Sequence, residues 1–218
     1  MRKFDALLDR LEFKYRRYAI HGLMNWIVMI TAGVWVLNLI IQPMTGFSLT
    51  SFLSFSRTLI LRGQIWRAVT FLFVPGYGSM LSTILSLYFY WLIGTTLESQ
   101  WGKFRFNVYY LLGFLGSLIA GFITGSATTV YLNLSLFLAF AILNPDFQVL
   151  LFFILPVKMK WLAAIATAGL VVLLFTDTWA GRLALIMALI NLVLFFGGRA
   201  VDMVRDYKRR REWKKNWK

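Results

Sequence analysis

Six apolar stretches without a single Asp, Glu, Lys or Arg restrict this chain more than any other feature. They lie at residues 23–42, 78–96, 106–126, 127–144, 161–176 and 183–198. Each approaches the ~20 apolar residues needed to cross a hydrocarbon core of ~30 Å. Lipid offers the backbone no hydrogen-bond partners, so a crossing segment must satisfy its own amides and carbonyls as a helix. The ten-residue alternation of a transmembrane barrel strand is absent. Charged residues make up 15% of the chain, against ~25% in soluble domains. The expected class is an all-α, polytopic membrane protein with six transmembrane helices.

The net charge of +14 would suggest nucleic acid in a soluble protein. Here it follows the spans, and no nucleic acid is expected. Six crossings place both termini on one side, and 19 of the 23 Lys and Arg residues then share that side. Arg57, Arg62, Arg67 and Arg182 fall opposite. The positive-inside rule therefore puts both termini in the cytoplasm. The chain divides into a cytoplasmic amphipathic interfacial helix (1–20), a six-helix membrane domain (21–198) and a basic tail (199–218). Phe4, Leu7, Leu8, Leu11, Tyr15 and Tyr18 form the apolar stripe of the first part. The opening residues do not read as a secretory leader: the charged stretch is long, and no small-residue cleavage site follows the first apolar run. Lys208, Arg209, Arg210, Arg211, Lys214 and Lys215, interleaved with Trp213 and Trp217, suit anionic lipid at the membrane surface. There is no cysteine and one histidine, His21, so no metal site and no cofactor are expected.

Two connections stand out. Residues 43–77 are too apolar for a water-exposed linker, with Phe47, Phe52, Phe55, Ile60 and Trp66 among them. This segment is expected to lie partly in the outer leaflet, covered by protein. Asn144-Pro145-Asp146 ends the fourth span. The apolar run Phe147–Leu155 behind it is too short to cross as a helix, and reads as an interfacial strip closed by Pro156.

Three clusters, in order, resemble the rhomboid superfamily. Trp66-Arg67 lies in the loop between spans one and two. Gly94 and Glu98 form a Gly-x-x-x-Glu pattern at the end of span two, followed by Gly102-x-x-Arg105-Phe106. Span three carries Tyr109, Tyr110, Gly113, Gly116, Gly121 and Gly125. Asn144-Pro145-Asp146, the Phe-rich strip, Pro156 and Trp161 are more similar to derlins, the non-proteolytic branch. The resemblance implies a rhomboid-like fold. It also implies that Trp66, Arg67, Gly94, Glu98, Gly102 and Arg105 are structural. Glu98 meets the negative end of its helix dipole, so it calls for a partner. Lys103, Arg105 and backbone donors of the following loop are candidates.

Rhomboid proteases place a serine in Gly-x-Ser-x at the outer part of span four and a histidine in span six. The matching stretch here is Asn133-Leu134-Ser135-Leu136, and the span-six position matches Asn191. An amide cannot take the serine proton near neutral pH. His21 lies before span one, at the opposite membrane level. Ser135 and Asn191 are thus vestigial candidates rather than catalytic residues. Asn191 is expected to contact Ser135 or Asn133. The three together are expected to serve as polar groups of a client groove, in a short span six that thins the bilayer. The function implied is derlin-like binding and handling of other membrane-protein segments, in membrane-protein quality control. The alternatives are an active intramembrane serine protease with an altered site and a structural subunit of a membrane complex. A transporter is disfavoured, because no charge lies within a span and no inverted repeat is evident.

Overall fold

The computed structural model describes residues 2–76, 78–151 and 155–196; the side chains of residues 2–5 and of Leu7, Leu150, Leu151 and Leu155 are outside the description. The expected lipid-binding residues Lys208–Arg211, Lys214 and Lys215 lie outside the described residues. So do the side chains of Phe4 and Leu7 and the last two residues of the expected sixth span.

The chain is almost wholly helical. Helix α1 (Arg2–Tyr15) leads through a single 3-10 turn into α2 (Leu23–Thr45). Pro43 lies in the last turn of α2 and removes one ladder bond. The helix stops three residues later at Gly46, whose N–H closes on the Gln42 carbonyl at 2.9 Å. The connection that follows is not irregular. It folds into three short helices, α3 (Leu49–Leu53), α4 (Arg57–Leu61) and α5 (Arg67–Thr70), which pair their own backbone. Then come α6 (Met80–Trp101), α7 (Lys103–Thr124), α8 (Val130–Leu143), α9 (Met159–Thr176) and α10 (Trp179–Phe196).

Five of these helices, α2, α6, α7, α9 and α10, are long and apolar enough to cross a membrane. The expected fourth span is the exception. Instead of 127–144, the helix covers 14 residues, ~21 Å at 1.5 Å per residue, against a core of ~30 Å. It is also the hub. Leu132, Leu136, Ala139 and Phe140 of α8 are buried with Ile93, Leu97, Phe106 and Tyr109 in the main core. Leu138 joins Leu170 and Leu185 of α9 and α10 in a second cluster. The sides of α8 are packed against α6, α7, α9 and α10, so the short helix is held by protein along its length even though it does not reach across the bilayer.

Two other expectations are corrected. The strip after Asp146 is not a helix; β1 (Gln148–Leu151) pairs antiparallel with β2 (Leu155–Lys158), with Gln148 opposite Lys158. Val149 and Val157 face each other across the pair, and Pro156 bars a helix from running on through the second strand into α9. Among the described residues the fold is helical, as expected, with a small two-stranded hairpin added. Span six begins at Trp179 rather than 183, because only Asp177 and Thr178 separate α9 from α10. Arg182 lies inside the first turn of α10. It folds back, donating from Nε to the Asp177 carbonyl at 2.9 Å and from Nη2 to the Phe175 carbonyl at 2.7 Å. The cation thereby satisfies carbonyls that the end of α9 leaves open.

Two glycines set the helix arrangement. A Cβ on Gly94 would collide with the Met24 side chain, so α6 and α2 meet at backbone distance. Gly102 turns α6 into α7 in a single residue at φ 82°, ψ 156°, a conformation open essentially to glycine alone. Gly94→Val is expected to lower the thermal unfolding temperature in detergent by several degrees. Gly33→Ala, where an added methyl meets nothing within 4 Å, is expected to leave it unchanged or slightly raised. Equal melting of the two variants would remove the close-approach argument.

Candidate functional site

The polar side chains of the membrane domain sit at joints between elements. Arg67 is buried under the α3–α5 connection. Its Nη1 donates to the Ser51 and Ser54 carbonyls, both at 2.8 Å, and its Nε donates to Gln64 Oε1 at 2.6 Å. The guanidinium also lies 5.6 Å from the Phe52 ring, which packs against the half-exposed indole of Trp66. One cation thus gathers the carbonyls of α3 and the start of α5.

Glu98 is buried near the end of α6, and its Oε1 accepts the Gly22 backbone N–H at 2.7 Å. Neither Lys103 nor Arg105 is its partner. Gly22, left-handed at φ 65°, is the residue before α2. The carboxylate that would be unfavourable at the negative end of α6 is therefore placed at the positive end of α2, among unpaired N–H groups. The exposed His21 lies 4.0 Å away, at Nδ1. Arg105 turns instead to α1, donating to Asp9 and, at 3.2 Å, to Glu12. Leu8 of α1 is buried. The amphipathic helix is therefore docked against the base of α7 as well as carrying exposed Phe13 and Tyr18.

Ser135 and Asn191 are both deeply buried, 2% and 3% exposed. They are joined through one residue, Tyr109 on α7. The Tyr109 hydroxyl donates to Ser135 Oγ at 3.0 Å, and Ser135 Oγ donates in turn to the Leu132 carbonyl at 2.8 Å. Asn191 Nδ2 donates to the Tyr109 carbonyl at 3.1 Å. The expected Asn191 partner on α8 is thus corrected. Gly113 on α7 leaves room for both the Leu132 side chain and the Asn191 amide, so the amide reaches the α7 backbone before it could reach α8. Asn191 Oδ1 is buried without a partner among the described residues.

Asn133 faces elsewhere. It lies against Tyr90 at the rim of a cavity of about 80 Å³ between α2, α6, α7 and α8, beneath the Leu72–Gly76 segment. Ser82, Ser86 and Tyr90 line it from α6, Thr31 from α2, Tyr110 from α7 and Thr129 from the position just before α8. The volume suits a few waters at ~30 Å³ each. Chemically the cavity can offer hydroxyls and one amide to a polar group arriving within the membrane. Ser82, Ser86 and Tyr90 recur every four residues, which puts them on one face of α6. That spacing is the signal that could have revealed the cavity from sequence. Nothing in the sequence marks the Tyr109 hydroxyl as the partner of Ser135. Among the described residues no three His, Cys, Asp or Glu side chains come together.

At the opposite end of the helices from α1, the Tyr131 hydroxyl donates to the Asp177 carboxylate, tying the start of α8 to the α9–α10 turn. That bond, followed by the Thr178 N–H, holds the Asp177 carboxyl below its ordinary range.

No protein-family model matches this chain, and no curated protein is significantly similar to it.

Two predictions follow from these bonds. Tyr109→Phe and Ser135→Ala each break the same interhelical bond. Each is expected to cost ~0.6 kcal/mol, and at most ~2, in unfolding from mixed micelles, and the double variant should cost no more than the worse single one. Additive losses would mean that the two hydroxyls act separately. For Asp177 the folded pKa is depressed. Its contribution is therefore present above the unfolded value of ~3.9 and lost as pH falls through the lower folded value. The native chain should lose melting temperature below about pH 4 relative to Asp177→Asn. Parallel pH profiles would exclude the Tyr131 tie.

Proposed function

We propose that this chain is a non-catalytic, rhomboid-like membrane protein of derlin type, which binds segments of other membrane proteins. In this reading α2, α6, α7, α8, α9 and α10 are the six crossings, with α8 the short central one. The single observation that carries the reading is the different use of Ser135 and Asn133. Ser135 stands where a rhomboid protease keeps its nucleophile, yet its hydroxyl is engaged by Tyr109 and Leu132 inside the helix packing. The span-six amide, Asn191, is likewise engaged by backbone. Neither group offers the acid–base pair that acyl transfer needs. Two residues before Ser135, Asn133 opens on the cavity, whose mainly apolar wall carries the hydroxyls of Ser82, Ser86 and Tyr90.

A client segment carrying a polar residue loses hydration in lipid, at a cost of several kcal/mol for an unpaired group. Hydroxyls and an amide at the cavity lower that cost. The short α8 thins the layer the client must cross on that side. Affinity for a client then depends on a polar residue in its membrane segment, not on a cleavage sequence.

The test uses the full chain reconstituted in vesicles with a single-span test protein. A photoreactive residue at 133 is expected to capture a test protein with an asparagine in its span, and not its all-leucine counterpart. The same residue at lipid-facing 172 should capture neither preferentially. Equal capture of both forms at 133 would exclude client selection at the cavity. Labelling by a fluorophosphonate that disappears in Ser135→Ala would exclude the non-catalytic reading.

A further inference from the structure

A second opening lies on another flank, between α8, α9 and α10. It is a groove of about 380 Å³, lined by Leu138, Ala141, Ile142, Ala163, Leu170, Val171, Leu174, Leu189 and Leu192 and ending at Lys160. Its one other polar wall residue, Thr167, donates its hydroxyl to the Ala163 carbonyl at 2.7 Å. The groove therefore makes no hydrogen-bonding demand on an occupant. Its mouth does make a charge demand. Lys158 and Lys160 both approach a single carboxylate, Asp146, at 3.4 and 3.9 Å. Asp146 is largely exposed, so two cations share one anion at the edge of a membrane domain, and among the described residues no second carboxylate joins them. Trp161, also exposed, marks the same level as interfacial.

The geometry points to a binding site for one anionic glycerophospholipid: an acyl chain along the groove and the phosphate between Lys158 and Lys160. Lengths agree. Lys160 to Leu174 spans ~21 Å along α9 at 1.5 Å per residue, enough to hold a chain across its own ~15 Å half of the hydrocarbon core. Charge agrees as well. A phosphate supplies the anion that the lysine pair lacks, and a zwitterionic headgroup supplies it less well. The site is separate from the cavity beside Asn133 and does not depend on client binding.

Native mass spectrometry of the full chain in mild detergent tests this, with phosphatidylglycerol and phosphatidylcholine of equal chain length as probes. One phosphatidylglycerol is expected to be retained about tenfold more tightly than phosphatidylcholine. Lys158→Ala with Lys160→Ala should abolish that preference. Thr167→Trp, at an exposed helix position, should fill the groove and abolish retention; Val171→Trp serves the same purpose if the first variant does not fold. Equal retention of the two lipids by the native chain overturns the proposal. So does phosphatidylglycerol binding that survives both tryptophans but is lost when Lys208, Arg209, Arg210, Arg211, Lys214 and Lys215 become Gln, since the lipid then belongs to the tail. Retention of a polypeptide that either tryptophan displaces, with no lipid preference, also overturns it.

Discussion

In hydrocarbon a polar group has no solvent to fall back on, so pairing within the chain or facing a cavity is strongly favoured. The arrangement of this protein follows from where it does so. Arg67 pairs with three loop oxygens and so converts a long, apolar connection into a compact cap. Glu98 pairs with Gly22 and so fixes the start of α2 against the end of α6. Tyr109 serves two neighbours at once, with its hydroxyl toward α8 and its carbonyl toward α10. The neutral Tyr109 bonds are weak one by one, since interhelical bonds in lipid average ~0.6 kcal/mol, while those of the charged Arg67 and Glu98 are stronger. They matter because the apolar faces on either side have no preference of their own. Leucine packs on lipid as well as on leucine, so small residues such as Gly94 and Gly113 and polar joints decide which helices meet.

That division explains what the sequence could tell. Charge-free runs mark apolar helices directly, because length and composition are all that crossing requires. Arg67 stands out in the sequence as a cation beside Trp66 in an apolar loop, but which of the loop's carbonyls, hydroxyls and amides it would meet was not legible. Nor was the length of α8. Residues 127–129 are as uncharged as the helix itself, so composition cannot separate a helix from its lead-in. The hairpin at 148–158 was hidden for a related reason. A nine-residue apolar run looks alike as helix or strand, and only Pro156 argued against the helix. Partners of polar residues were least legible of all. Glu98 has basic residues five and seven positions ahead, yet its partner lies 76 residues back. Sequence proximity favoured the wrong choice because those cations had a better use: Arg105 binds α1. Asn191 likewise was assigned to the helix bearing the serine, whereas Gly113 opened a nearer path to the backbone of α7.

Some of the polar residues that remain after these joints are counted lie together. Ser86, Tyr90, Asn133 and Tyr110 converge on one cavity, between α2, α6, α7 and α8. A chain selected only for stable packing in lipid gains little from this. An apolar filling of the same space would cost no desolvation and leave no cavity to collapse. Retaining hydroxyls and an amide there is therefore a cost, and a ligand with polar atoms of its own is the simplest return on it. The apolar groove on the α9 flank differs in kind: its walls demand nothing and only its mouth carries charge. The two openings thus suit different occupants, a polar residue carried inside the membrane at one and a charged headgroup with an apolar chain at the other. Because α8 forms a wall of both, an occupant of either bears on the same short helix. A change in the seating of α8 at Leu138 and Ala141 would be felt at Asn133, five and eight residues away on one rigid rod.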